Sequence, residues 1–225
     1  MSHLTATGDM MRPTPRTEFG VQSYDLKLGM WVFLASEVMF FTGLIGSYIV
    51  LRFGAPGAWA PPGVVLNVPL TAFNTFLLIC SSVSMVKAYA AIADGDQKGL
   101  RLWFALTILG GAMFVGVQVY EYFHLVHTGF TPSGIREGSE LAEKVAAGVI
   151  PAASSGLYGS TFYIMTGFHG FHVSAGVVSM LYLYFKKVLP GKYSKLDYRG
   201  VEVVGLYWHF VDLVWIILFT IVYLV

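Results

Sequence analysis

The chain has 225 residues, 56% of them hydrophobic, and only 14 Lys and Arg against 13 Asp and Glu, so charges make up 12% of the sequence where a soluble domain carries about a quarter. With a mean hydropathy of +0.65 and apolar runs of about twenty residues or more, a soluble globular domain, a coiled coil and a disordered tail are excluded. A net charge of +1 argues against a nucleic-acid partner, which needs a basic face, and the single cysteine, Cys80, excludes an intrachain disulfide or a site of two or more thiolates.

Residues 1–27 hold Pro13, Pro15 and charges of both signs without an apolar core. They read as a polar, mobile cytoplasmic tail rather than a cleaved signal peptide. The rest, 28–225, predicts an all-α, polytopic membrane bundle of five transmembrane helices at about 28–51, 68–92, 101–127, 157–185 and 203–225, each sufficient for a hydrocarbon core roughly 30 Å thick. Residues 53–67 are rich in Gly, Pro and Ala, 93–100 form a short polar turn, and 186–200 are strongly basic. The longest connection, 128–156, contains Ser139 to Ala147, which fits a short surface helix. No internal repeat is visible, so an inverted-repeat transporter lacks its usual sequence support.

Basic residues orient the bundle, because Lys and Arg near span ends are retained on the cytoplasmic side. The tail, the second connection and the fourth carry eleven of them, among them Lys27, Lys87, Lys98, Arg101, Lys186, Lys187 and Arg199; the other side has only Arg52, Arg136 and Lys144. The expectation is N-terminus inside and C-terminus outside. Trp31, Trp103 and Trp208 fall near inner span ends, where an indole suits the headgroup level. Ala112 with Gly116 and Gly170 with Ser174 are small pairs at four-residue spacing, as close helix packing in lipid requires.

Glu37 lies nine residues into the first span, roughly 14 Å along a helix. A bare carboxylate there costs several kcal/mol, so it must be protonated, paired or facing water. It is either a neutral group bonded between helices or a proton-handling group. His169 and His172 stand at i and i+3, on one helical face. They cannot sandwich one haem, whose axial ligands approach from opposite sides. Glu121 and His124 have the Glu-x-x-His spacing of di-iron bundles, but no second such pair exists, so His124 and His127 read as interface residues. His209 and Asp212 share a face of the fifth span at a depth comparable to Glu37. The expectation is a hydrogen bond from Glu37 to His209 or, less favoured, to His172.

Four runs, Ser36–Gly43, Tyr158–Tyr163, Thr166–Val173 and Tyr207–Trp215, together resemble the signature segments of subunit III of haem–copper respiratory oxidases, in order and spread over residues 28–225. The family's longer members have seven helices, and this sequence lacks a counterpart of the first two. Five-helix versions occur in bacterial quinol oxidases, whose third span similarly ends in a Tyr-Glu-aromatic run followed by histidines. In the longer members the missing helices form one arm of a cleft that holds phospholipid. The loop around Arg136 to Pro151 is also longer than the mitochondrial-type connection.

The resemblance implies a subunit of a proton-pumping cytochrome-c oxidase type complex in aerobic respiration, multi-pass in the bacterial cytoplasmic membrane. The chain would itself be non-catalytic, with no redox centre and no metal. Haem and copper would belong to partner subunits I and II, and membership of a larger respiratory supercomplex is left open. The subunit would stabilise the catalytic chain, bind phospholipid and support proton uptake. The family's intramembrane carboxylate falls on Glu37, its paired histidines on His169 and His172, and its late carboxylate and histidine on Glu202 and His209. Asp212 joins this polar network. Glu202, beside Arg199 at the inner end of span five, reads equally as a solvated headgroup-facing charge or a proton antenna. Glutamate in Ser36-Glu37-Val38 favours cytochrome c over quinol as donor. The competing classes are a stand-alone proton-coupled carrier, opposed by the lack of interior prolines, and a membrane cytochrome with haem between His172 and His209.

Overall fold

The computed structural model describes residues 15–54, 59–151, 155–194 and 197–224. In chain order, the described residues form α1 (Pro15–Gly54), α2 (Pro62–Val65), α3 (Val68–Asp94), α4 (Gln97–Thr128), a two-stranded hairpin of β1 (Phe130–Thr131) and β2 (Gly134–Ile135), α5 (Glu140–Ala146), α6 (Ser155–Leu183) and α7 (Arg199–Phe219). Five of these helices are long and apolar enough to cross a membrane: α1 over Asp25–Gly54, α3, α4, α6 prolonged to Val188 and α7 prolonged to Leu224. Both prolongations are π-helical turns, Tyr184–Val188 and Thr220–Leu224. The five-span expectation holds, with the ends moved outward by a few residues.

The largest shift is at the start. Helix α1 begins at Pro15 rather than near Leu28, because a proline at the first helical position fixes φ and loses no hydrogen bond. Nothing between it and Leu28 breaks a helix except Gly20. Residues 1–14 of the predicted tail lie outside the described residues.

Turn chemistry sets the tightest hairpin. Gly95 closes α3 at φ 83, its N–H donating to the carbonyls of Ala91 and Ile92, and the next residue, Asp96, caps α4 by accepting from the N–H of Lys98 at 3.0 Å. Two residues therefore reverse the chain. The pair is drawn together further along, where the Cβ that Gly110 lacks would stand 2.7 Å from Ser81 Cβ. Helix α4 ends at Gly129, again left-handed at φ 99. The hairpin pairs Phe130 with Ile135 and Thr131 with Gly134. Ser139 then caps α5 by accepting from the Ala142 N–H at 3.3 Å, so the predicted short helix forms, with Leu141 buried beneath it.

This long connection seals one end of the bundle, hereafter the hairpin end. Phe130 is buried against Tyr158, Phe162 and Tyr163, and Tyr163 Oη donates to the Phe130 carbonyl at 2.9 Å. Trp59, arriving from the first connection, adds edge contacts to Tyr48 and Tyr158, each with ring centroids 5.3 Å apart. The opposite end carries Lys27, Lys87, Lys98, Arg101, Lys186, Lys187 and Arg199, and is hereafter the basic end.

Helices α3, α4, α6 and α7 form the body, around the fully buried Trp208, Trp215, Phe104, Phe114 and Phe162. Helix α1 lies against α7 and, more lightly, α6. It buries Leu34, Phe41 and Tyr48, seven residues apart and thus on one stripe, and leaves Val32, Met39 and Val50 exposed. The small-residue expectation is half right. Gly170 does sit against Gln118, whereas Gly116 faces open space and Ala112 is exposed. The close approach falls instead on Gly111, where an added Cβ would lie 2.9 Å from Val177 Cγ2 and closer still to the Trp208 indole. Gly111→Ala is accordingly expected to destabilise the chain in detergent micelles by about 1–3 kcal/mol. Gly116→Ala, by contrast, should be neutral or stabilising by up to about 1 kcal/mol, as read by denaturant unfolding.

Candidate functional site

Midway along the spans, Glu37 of α1 meets His172 of α6, with Oε2 3.1 Å from Nε2. The two side chains are 18% and 13% exposed, so both are shielded without being sealed. His172 Nδ1 lies 2.7 Å from the Phe168 carbonyl. A carbonyl only accepts, so Nδ1 carries a hydrogen. Nε2 then either accepts from a protonated Glu37 or, in the imidazolium, donates to a carboxylate. One proton is shared in both arrangements, and the pair has no net charge in either. Phe40, Phe41 and Phe171 ring the imidazole, and Tyr207 Oη of α7 donates to the His172 carbonyl at 2.8 Å.

The favoured partner, His209, is therefore not Glu37's. Equal depth was the ground for expecting it, but direction around the helix decides. His209 faces α3, where its Nδ1 lies 2.7 Å from Ser82 Oγ, while Glu37 looks across to α6. Asp212, also buried, stays with His209 next to Ser82 and not with Glu37.

The two histidines of α6 also part company. Sixty degrees separate positions i and i+3 around a helix, enough to send His169 inward. It is fully buried, its Nε2–H donating to the Val211 carbonyl at 3.1 Å, and its ring packs on Trp215 and Phe114 with centroids 4.7 and 5.8 Å away. His169 locks α6 to α7; His172 reaches α1.

At the basic end Glu202 is paired with Lys27 Nζ at 2.6 Å, a partner that the sequence, reading only Arg199 beside it, did not supply. Arg199 Nε instead donates to Asp197 Oδ1 at 2.9 Å. The guanidinium beside Asp197 holds that carboxyl below the usual aspartate range. Trp31 is exposed on α1, and Trp103 lies under Lys87, whose Nζ is 4.3 Å from the ring centroid. Trp208 is not an interface anchor. It is fully buried and donates through Nε1 to Ser81 Oγ at 3.0 Å, because Gly111 and Gly176 leave room for the indole between helices.

The residues missed lie on α3. Thr71 donates to Glu121 Oε1 at 3.0 Å, Asn74 to the Phe114 carbonyl at 3.2 Å, and Thr75 accepts from Trp215 Nε1 at 2.9 Å. With Ser81 and Ser82 they form one polar stripe down the helix. Glu121 is buried and accepts also from Tyr223 Oη at 3.3 Å. Among the described residues no three His, Cys, Asp or Glu converge as metal ligands would.

Known proteins match this chain along nearly its whole length. The family model described as cytochrome c oxidase subunit III matches residues 16–139 and 139–225. A cytochrome c oxidase subunit 3 from Synechocystis sp. is 40% identical over 202 residues, covering 89% of this chain and 76% of the relative. A probable cytochrome c oxidase subunit 3 from Nocardia farcinica is 40% identical over 200 residues, covering 89% and 88%. One from Thermostichus vulcanus is 36% identical over 197 residues, covering 88% and 86%. With five spans and this likeness over both halves, the chain belongs to the cytochrome c oxidase subunit III family, as a multi-pass membrane subunit of a haem–copper oxidase.

Proposed function

We propose that the chain is a non-catalytic subunit of a terminal oxidase that reduces dioxygen to water, packed beside subunits I and II, which carry the haem and copper, in a bacterial cytoplasmic membrane. Its contribution is to hold the catalytic chain and to handle protons near it. The observation that carries this reading is the Glu37–His172 contact, a carboxyl oxygen and an imidazole nitrogen 3.1 Å apart in the middle of the spans. Such a pair moves a proton between its members without creating net charge in hydrocarbon, whereas an isolated carboxylate there would cost several kcal/mol. The spacing of basic residues supports an inside N-terminus, with the basic end cytoplasmic.

Glu37→Gln separates structure from proton handling. The amide still donates to His172 Nε2, yet carries no transferable proton. Assembly and initial dioxygen consumption are expected to stay within about twofold of the parent, while activity decays over several-fold fewer turnovers and proton uptake slows. Identity with the parent in decay and uptake would make Glu37 structural only.

The donor we infer is cytochrome c, supported by the names of the relatives and by glutamate at position 37. Mass spectrometry of the co-purifying chains tests it: a partner bearing a two-cysteine copper motif is expected, and its absence from an active complex would favour quinol.

Phospholipid fits an apolar groove of about 520 Å³ at the basic end, lined by Leu26, Tyr182, Leu183 and Val203 and also by Arg199. Acyl chain against the aliphatic walls and phosphate near Arg199 would satisfy both ends of a lipid. Val203→Trp fills the groove. Native mass spectrometry of the variant assembly is expected to show loss of one retained phospholipid, and unchanged lipid would place binding elsewhere.

A further inference from the structure

The Glu121-x-x-His124 spacing takes no part in the function above, yet both residues line one small cavity at the hairpin end. It has a volume of about 250 Å³ and lies between the start of α3 and the end of α4, walled by Leu66, Asn67, Leu70 and Tyr120 as well as the two polar residues. Glu121 stands about 10 Å from the end of a helix roughly 48 Å long. A helix of that length overhangs a 30 Å hydrocarbon core at both ends, so the cavity sits near the edge of the hydrocarbon, within reach of water.

The donor chemistry is specific. On Glu121, Oε1 accepts from Thr71 Oγ1 and Tyr223 Oη, while Oε2 accepts only from Tyr223. Oε2 therefore keeps a lone pair for another partner. His124 is stacked on Tyr120 with ring centroids 6.4 Å apart and planes within 9°. It makes no hydrogen bond to another described residue, so a ring nitrogen is free. Positions i and i+3 bring their Cβ atoms to about 5–6 Å, a span that a glutamate and a histidine close on one ion. No Lys or Arg lines the cavity, so nothing in its walls answers the carboxylate with positive charge.

We propose that this cavity binds a divalent transition-metal ion of the zinc type, held by Glu121 and His124 with water completing the shell. Mixed imidazole nitrogen and carboxylate oxygen suits zinc and its neighbours better than calcium or magnesium, which prefer all-oxygen shells. With two protein ligands the site is exchangeable rather than structural. The nearby Glu140, whose carboxylate feels His124, is held by Lys144 at 2.9 Å and is not counted as a ligand.

The test is equilibrium dialysis against zinc chloride, using the detergent-solubilised assembly with its accompanying chains, and bound metal counted per chain. The parent is expected to retain one zinc more than Glu121→Gln and His124→Gln, each variant binding that equivalent about tenfold or more weakly. Glu121→Gln keeps the acceptor for Thr71 and Tyr223, but should it fail to assemble, His124→Gln decides alone, since His124 is exposed and ties down no other residue. Equal zinc in the parent and His124→Gln would overturn the proposal and leave the cavity to water.

Discussion

Hydrocarbon supplies no hydrogen-bond partners, so polar side chains inside a span are driven to find them on their own helix or a neighbour. The packing of this chain follows from that constraint. Two tryptophans at the centre of the body, Trp208 and Trp215, each hold an N–H that lipid could not satisfy, and both donate to hydroxyls of α3, Ser81 and Thr75. His169 finds a backbone carbonyl on α7 and Gln118 finds one on α6, donating to Thr166 at 2.8 Å. Interhelical bonds of this kind average only about 0.6 kcal/mol each in a membrane. What they set is register, since a helix rotated or shifted by one residue would strand several donors at once.

The same rule divides the bundle into a body and an appendage. Helices α3, α4, α6 and α7 bury their polar groups among themselves, around a shared aromatic core. Helix α1 offers few polar groups to them, and its outward face is almost wholly apolar and exposed. Its polar and ring fastenings include Lys27 to Glu202 at the basic end, Glu37 to His172 in the middle, and Tyr48 through the Trp59 ring to Tyr158 at the hairpin end. The half-buried ion pair at the basic end contributes modestly where water reaches it. The central contact, shielded from water, is the one whose loss would leave a polar group on each helix unsatisfied.

Length and hydrophobicity were enough to read five spans, because burial in lipid makes that signal nearly independent of neighbours. Azimuth was not legible. Placing Glu37 against His209 used depth alone, and depth leaves three imidazoles near one level; only the packing of α7 on α3 shows that His209 points to Ser82. Trp208 failed for the same reason, since a tryptophan near a span end is read as an interface residue unless the glycines that receive it, Gly111 and Gly176 on other turns of other helices, are known to face it. The hydroxyl stripe of α3 went unread because a serine or threonine in a span can always bond its own i−4 carbonyl, as Thr75 does with Thr71, and so raises no alarm in sequence.

The central pair sits where these strands meet. A carboxyl and an imidazole with one proton between them are neutral overall, and that neutrality is what lets them occupy mid-span without a further counter-charge. The cavities at the basic end and beside Glu121 open elsewhere, and their walls include neither residue. Both side chains keep some exposure, and that exposed part offers a way for exchange with the surroundings. By itself this geometry makes a fastener. The proton-handling role proposed for Glu37 would need something polar against that exposed part, which ties its chemistry to the company that α1 keeps.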